Sequence, residues 1–255
     1  QMGKKTYFAS DFHLGIDGHL PAAARERQAA RWLDAIAPDA DKLYLVGDLF
    51  EFWFEYRTVV PKGFVRILGR LAEMRDAGIP IEAFTGNHDL WMFGYFEQEL
   101  GIPVHKRPIS ARIGDKDFFI GHGDGLGPGD KGYKRMKKIF THPLSQRLFR
   151  ALHPDWGVRM AHLFSGASRR ATPPEEREWL GEDREWLYQY CLRKIAQGIE
   201  PHYFVFGHRH LPLYIPLPNG RSRYINLGEW IYRCSYAEFD GAELTLRYWE
   251  REQSL

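Results

Sequence analysis

Apolar residues and turn signals follow one another in a regular order along the first half of the chain. Lys5–Ser10 reads as a strand, and Ala22–Ile36 repeats its apolar positions at helical spacing. Lys42–Val46 is a second strand. Gly63–Asp76 carries the next helical pattern, stopped by Gly78 and Pro80, and Ile81–Phe84 is a third strand. This β-α-β-α-β rhythm predicts an α/β layered fold. The last third differs. Tyr203–Phe206, Leu213–Ile215, Arg223–Ile225, Tyr232–Phe239 and Glu243–Trp249 read as short strands, with Asn219-Gly220 and Asp240-Gly241 as hairpin signals.

A stretch of another character lies between the two halves. Lys131–Arg170 holds ten Lys or Arg and one acidic residue, Asp155, whereas the whole chain carries a formal charge of only +2. Tyr133, Met136, Phe140, Leu144, Leu148 and Leu152 recur there at helical spacing. A long helix is expected after Pro173-Pro174, acidic at its start through Glu175, Glu176, Glu178, Glu182, Asp183 and Glu185. The stretch reads as a helical insertion. It is either a solvated basic hairpin on the sheet or a cap whose charge and aromatics suit an anionic membrane surface.

Composition narrows the class. At 255 residues, 44% hydrophobic and 27% charged, the chain can build a large core and is neither disordered nor a coiled coil. The near-zero net charge does not suggest a nucleic-acid-coating protein. Cys191 and Cys234 stand in no metal or redox spacing, so two buried thiols in a reducing compartment are expected. No run approaches the ~20 apolar residues of a membrane-spanning helix. The N-terminal residues show no signal-peptide pattern, so a cytoplasmic location is expected. Trp53, Trp156, Trp179 and Trp186 are expected in the core.

Five short motifs carry the chemistry. They are Asp11-Phe12-His13, Gly47-Asp48, Gly86-Asn87-His88-Asp89, Gly121-His122-Gly123-Asp124 and Gly207-His208-Arg209-His210. Each follows an apolar strand, and ligand sites of open α/β sheets gather at the carboxyl ends of strands. Asp11 and His13, two apart on extended chain, should point the same way. The adjacent glycines let the backbone turn sharply. Oxygen and imidazole donors without thiolate suit Mn²⁺, Fe or Zn²⁺. Asp11, His13, Asp48, Asn87, His122, His208 and His210 make seven ligands, enough for two ions that share one carboxylate. Two cations roughly 3.5–4 Å apart activate water and neutralise a phosphoryl group attacked in line. His88, between Asn87 and Asp89, is suited to shuttle a proton, with Asp89 orienting it. His19, His105, His142, His153, His162 and His202 fit no motif, and surface or packing roles are expected for them.

The ordered series D-x-H, G-D, G-N-H-D, G-H-G-D and G-H-x-H resembles the calcineurin-like metallophosphoesterases over about residues 5–240. The resemblance implies a four-layer α/β/β/α sandwich with a helical cap inserted after His122. The motifs are spaced 37, 39 and 35 residues apart up to His122, and then 86 to His208. The core is therefore expected at 1–129 and 200–255 and the cap at 130–199. Carried over, Asp11, His13, Asp48 and His210 would hold one ion, and Asp48, Asn87, His122 and His208 the other.

Within the family, one branch hydrolyses the pyrophosphate of UDP-2,3-diacylglucosamine in lipid A assembly, giving 2,3-diacylglucosamine 1-phosphate and UMP. Asp48-Leu49-Phe50-Glu51 with Trp53, His122 through Leu126, Asp130-Lys131-Gly132-Tyr133, and Pro143-Leu144 with Leu148-Phe149 are similar to that branch. The similarity implies two divalent ions, Mn²⁺ first among them, and a lipid-linked nucleotide-sugar substrate. It also implies a peripheral position on the cytoplasmic face of an anionic inner membrane, with no nucleic-acid partner. Substrate contacts would fall to Asn87, His88, Asp130, Tyr133, Ser165, Arg169 and His208. The best-known members of the branch carry Arg where this chain has His88, which is the general family pattern. Another phosphodiesterase, phosphatase or nuclease activity, or a non-catalytic scaffold, therefore stays open at this point.

Overall fold

The computed structural model describes residues 4–127, 131–160, 178–179 and 181–249. The first sheet has the order β11-β10-β1-β2-β3-β4. These strands are β1 (Lys5–Ala9), β2 (Ala40–Val46), β3 (Ile81–Phe84), β4 (Val104–His105), β10 (Ser235–Phe239) and β11 (Leu244–Tyr248). Strands β1 to β4 run parallel, while β10 pairs antiparallel with β1. The second sheet has the order β5-β6-β7-β9-β8, from β5 (Ile109–Ile113), β6 (Lys116–Ile120), β7 (Tyr203–Phe206), β8 (Pro212–Pro216) and β9 (Arg223–Leu227). Its centre is parallel and both edges are antiparallel.

The period of two along each strand sorts side chains into three apolar layers. On the outer face of the first sheet, Tyr7, Leu43, Leu45 and Ile81 meet Trp32, Leu33, Ile67 and Leu71 from α1 (Ala22–Ile36) and α2 (Val65–Asp76). Their neighbours Phe8, Tyr44 and Phe84 face the other way, against Phe118, Ile120, Val205 and Ile225 of the second sheet. Phe8 stacks on both Tyr44 and Phe118, at 5.2 and 5.6 Å between centroids. On the far face Phe119, Phe204, Phe206 and Tyr224 pack on Leu187, Tyr188 and Cys191 of α6 (Trp186–Ala196). This is the expected α/β/β/α order. Its last helical layer comes from within 130–199. Both thiols are buried and unpaired with one another.

Between β6 and α6 lie α4 (Lys131–Thr141) and α5 (Pro143–Ala151), followed by helical residues 154–160. Phe149 of α5 sits among Phe52, Phe54 and Trp91, and Trp91 Nε1 donates to Phe140 O at 2.9 Å. Asp124 accepts from Tyr133 Oη and Lys137 Nζ of α4. Ile139, Leu144, Leu148 and Trp156 are left exposed. Trp156 and Trp179 are thus surface residues, against expectation, while Trp53 is fully buried. Among the described residues no helix is long and apolar enough to cross a membrane.

Some boundaries moved for local reasons. The strand expected at Tyr232 begins at Ser235, because Cys234 turns the chain at φ 52°. The helix expected from Gly63 begins at Val65, after the left-handed Phe64. The helix expected after Pro173-Pro174 starts, among the described residues, only at Trp186, preceded by turns at 182–184. A short helix, α3 (Tyr95–Leu100), and the edge strands β4 and β5 had not been read from the pattern.

If Phe8 is the residue that joins the two sheets, Phe8→Ala should lower unfolding free energy by about 3–5 kcal/mol in chemical denaturation. Leu148→Ala, on the open face of α5, should stay within about 0.5 kcal/mol.

Candidate metal centre

The five motifs sit just past the carboxyl ends of β1, β2, β3, β6 and β7, and the fold brings them to one point. Ligand atoms of Asp11, His13 and His210 lie within 4.8 Å of one another, and so do those of Asp48, His122 and His208. Asn87 Oδ1 is 3.2 Å from His122 Nε2. The two groups meet where His13 Nε2 stands 3.7 Å from both Asp11 Oδ1 and Asp48 Oδ2.

Each carboxylate is anchored by one oxygen and bare at the other. Asp11 Oδ2 accepts from His208 N at 2.9 Å and Ser10 Oγ at 2.6 Å, while Asp48 Oδ1 accepts from His88 N at 2.8 Å. Asp11 Oδ1 and Asp48 Oδ2 are buried and accept no hydrogen bond. His210 Nε2 comes to 3.1 Å of the first and His122 Nε2 to 3.3 Å of the second, neither along a hydrogen-bond direction. The opposite ring nitrogens are engaged: His13 Nδ1 donates to Glu51 Oε2 at 3.0 Å and His122 Nδ1 to Val46 O at 2.9 Å. Such outward bonds turn Nε2 lone pairs inward, as imidazole ligands of a metal require. Bare carboxylate oxygens facing inward nitrogens are what a cation site needs.

The electrostatics agree. Burial opposes charge on His13, yet Asp11, Glu51 and Asp48 outweigh it and raise its pKa to about 10. Burial likewise opposes charge on His122, but Asp48 and Asp11 raise it to about 10. Burial would push Asp11 and Asp48 up, yet the surrounding imidazoles hold both well below the usual carboxylate range. His208, buried and beside His122, falls to about 4. The carboxylates draw positive charge into the site, as protons or as metal ions.

Asp11, His13, Asp48, His208 and His210 all have φ between 46° and 68°. Left-handed backbone costs a non-glycine residue on the order of 1–3 kcal/mol and persists only where surroundings impose it. Asp11 and His13 therefore converge not because the chain is extended there. Both turn left-handed, and Phe12 between them is driven into the core against Trp230. Asp11 N and His13 N donate to Gly47 O and Asp48 O, each at 3.0 Å. Arg25 of α1, 2% exposed, donates to the carbonyls of Phe12, His13, Ile16 and Trp230. Gly86 and Gly207 are explained by close approach rather than by φ. A Cβ at Gly86 would overlap Asp48 Oδ1, and one at Gly207 would overlap Asp11 Oδ2.

Asp89 does not orient His88. Its carboxylate accepts from Asp48 N, Leu49 N, Phe50 N and Gly86 N, tying the second motif to the third. His88 Nδ1 instead lies 3.1 Å from Glu51 O and 3.7 Å from Glu51 Oε1, and the His88 and His13 rings meet edge to face at 4.8 Å. Burial lowers the His88 pKa, opposed by Asp48. The Tyr133 ring is 6.5 Å from that of His208, with its hydroxyl donated to Asp124. Asp130, Ser165, Arg169 and His162 lie outside the described residues. Of the remaining histidines, His19, His105 and His202 contact neighbouring side chains or carbonyls and His142 caps α5. Glu51, Arg25 and Asp124, which the structure places against the candidate centre, were not singled out from the sequence, although Glu51 and Asp124 stand inside motifs that it displays.

The profile of the calcineurin-like phosphoesterases matches residues 4–212, and the chain belongs to that family of metal-dependent hydrolases. It is 39% identical over 262 residues to the UDP-2,3-diacylglucosamine hydrolase of Porphyromonas gingivalis, covering 98% of this chain and 99% of that protein. The protein of the same name from Nitrosococcus oceani is 28% identical over 227 residues, covering 88% of this chain and 87% of that one. A solved archaeal phosphodiesterase covers 96% of this chain and 99% of its own, at 14% identity and a TM-score of 0.47.

Because a methyl group at residue 86 would displace Asp48, Gly86→Ala should weaken Mn²⁺ binding by roughly 10–100-fold with the fold retained. Isothermal titration calorimetry reads this directly. Unchanged affinity would mean that Asp48 takes no part in cation binding.

Proposed function

We propose that this protein is a dinuclear-metal pyrophosphohydrolase that cleaves UDP-2,3-diacylglucosamine to 2,3-diacylglucosamine 1-phosphate and UMP. The observation that carries the hydrolase reading is the pair of buried, donor-less oxygens, Asp11 Oδ1 and Asp48 Oδ2, faced by imidazole nitrogens. The substrate is inferred from the Porphyromonas gingivalis relative, which is alike over almost the whole chain, including the inserted helices.

Asp11, His13, Asp48 and His210 would hold one ion and Asp48, Asn87, His122 and His208 the other, with Mn²⁺ the metal that this oxygen and imidazole set suits. When bound, the ions would polarise the phosphoryl oxygens and lower the pKa of water. The protein's own groups supply the rest. Glu51 orients His13 through Nδ1 and His88 through its carbonyl oxygen, and Asp89 stiffens the loops of Asp48 and Asn87. His88 is assigned the passage of a proton to the leaving oxygen: it takes one up from water, and because burial lowers its pKa it gives that proton up readily.

The insertion takes the lipid. Ile139, Leu144, Leu148 and Trp156 expose apolar surface beside the basic residues of α4 and α5, which suits acyl chains and the anionic cytoplasmic face of an inner membrane. Tyr133, adjoining His208, is the substrate contact we assign within it. Asp130, Ser165 and Arg169 remain assignments from sequence likeness.

With Mn²⁺ and UDP-2,3-diacylglucosamine, mass spectrometry should find UMP and the lipid monophosphate. Asp48→Ala should abolish turnover, and His88→Ala should lower kcat by roughly 10²–10⁴ without loss of metal. Turnover confined to bis-p-nitrophenyl phosphate or single-stranded DNA would contradict the substrate. Separately, Phe140→Ala with Leu148→Ala should raise KM for the diacylated substrate and leave a small chromogenic phosphodiester nearly untouched. Equal losses on both substrates would make the insertion a scaffold.

A further inference from the structure

A buried ion pair stands behind the fifth motif. Glu185 immediately precedes α6 and is 1% exposed. Its carboxylate accepts from Arg209 Nε at 3.1 and 3.0 Å and from Tyr224 Oη at 3.1 Å. Arg209, 8% exposed, lies between His208 and His210. That short loop places one histidine in each carboxylate–imidazole group, His210 with Asp11 and His13, and His208 with Asp48 and His122.

Both histidines are left-handed, at φ 68° and 56°, so the loop is held in a conformation it would not adopt alone. Its ends are tied by Asn226 Nδ2 donating to Gly207 O at 2.6 Å and Arg233 Nη1 donating to His210 O at 2.9 Å. Its middle is tied by the Arg209 side chain, which reaches back to Glu185 in the helical layer of the second sheet. A buried ion pair is weak evidence for stability, because desolvation offsets its attraction. Its effect on geometry is stronger: a guanidinium held on a carboxylate allows little movement to the backbone that carries it.

We propose that Glu185 is a positioning residue for cation binding, setting the separation of His208 and His210 through Arg209 and thereby the geometry of both cation sites. The inference rests on the two-cation reading above and extends it to a residue that no motif contains. Glu185 lies on the chain segment between His122 and His208, so this insertion helps to shape the metal centre as well as to cover it.

Mn²⁺ affinity and stoichiometry by calorimetry, beside thermal stability, test the proposal on the full-length protein. Glu185→Ala should lower affinity for both ions by roughly 10–100-fold and reduce Tm. Glu185→Leu combined with Arg209→Met removes both charges, and replacing a buried pair by apolar residues of similar volume often restores stability. Tm should then return towards wild type while affinity stays low, a separation that a merely structural pair would not produce. Wild-type affinity in Glu185→Ala, or affinity returning together with Tm in the double variant, would overturn the proposal. If Glu185→Ala does not fold, the double variant decides alone. A wild-type protein that takes up fewer than two ions would overturn the two-cation reading, and this inference with it.

Discussion

Asp11 and Asp48 are buried almost completely, and each keeps one carboxylate oxygen without a donor. Removing such a group from water is expensive unless opposite charge or hydrogen bonds replace the solvent. Here the compensation within the chain is partial. His13 and His122 are drawn towards protonation, yet Asp11 Oδ1 and Asp48 Oδ2 accept no hydrogen bond, while His13 Nε2 meets His210 Nε2 and His122 Nε2 meets Asn87 Oδ1, each at 3.2 Å. Cations placed between these groups would satisfy both the bare oxygens and the inward nitrogens. Much of the surrounding structure holds this unbalanced arrangement in place.

The holding is done loop by loop. Asp89 ties the second motif to the third, His208 N ties the fifth to the first, and Arg25 gathers the carbonyls of the first. Glycines at 86 and 207 leave room for the two carboxylates. Five left-handed residues of the candidate centre show that the loops are under strain, which the packed sheets beneath them sustain. Helix α4 joins this network through Asp124 near His122, and Glu185, ahead of α6, joins it at Arg209. The part of the protein that we propose to receive the lipid is thus mechanically continuous with the part that we propose to bind metal.

Most of the layered fold was legible because strand and helix periods are local properties. Phe204 and Val205 face opposite layers as their adjacency demands. The convergence of the seven candidate residues was legible too, since each motif directly follows a strand. Contacts made across the chain were not. Arg25 looks like any charged residue on an amphipathic helix until the loop carrying Asp11 closes over it. Asp89 stands next to His88 in sequence but turns to amides from the second motif, leaving Glu51, thirty-seven residues earlier, beside His88. Extended chain between Asp11 and His13 was the simplest way to align them, whereas two left-handed residues achieve it with Phe12 buried. Trp156 and Trp179 were expected inside because tryptophan usually is, but both stand exposed, and α5 beside Trp156 buries none of its residues.

The central claim is that two cations share Asp48 between the histidine groups. Crystals grown with Mn²⁺ and measured at the manganese absorption edge test it most directly. The account predicts two anomalous peaks roughly 3.5–4 Å apart, one beside His13 and His210, the other beside His122 and His208, with Asp48 between them. A single peak, or none at Asp48 in protein that still hydrolyses UDP-2,3-diacylglucosamine, would contradict it.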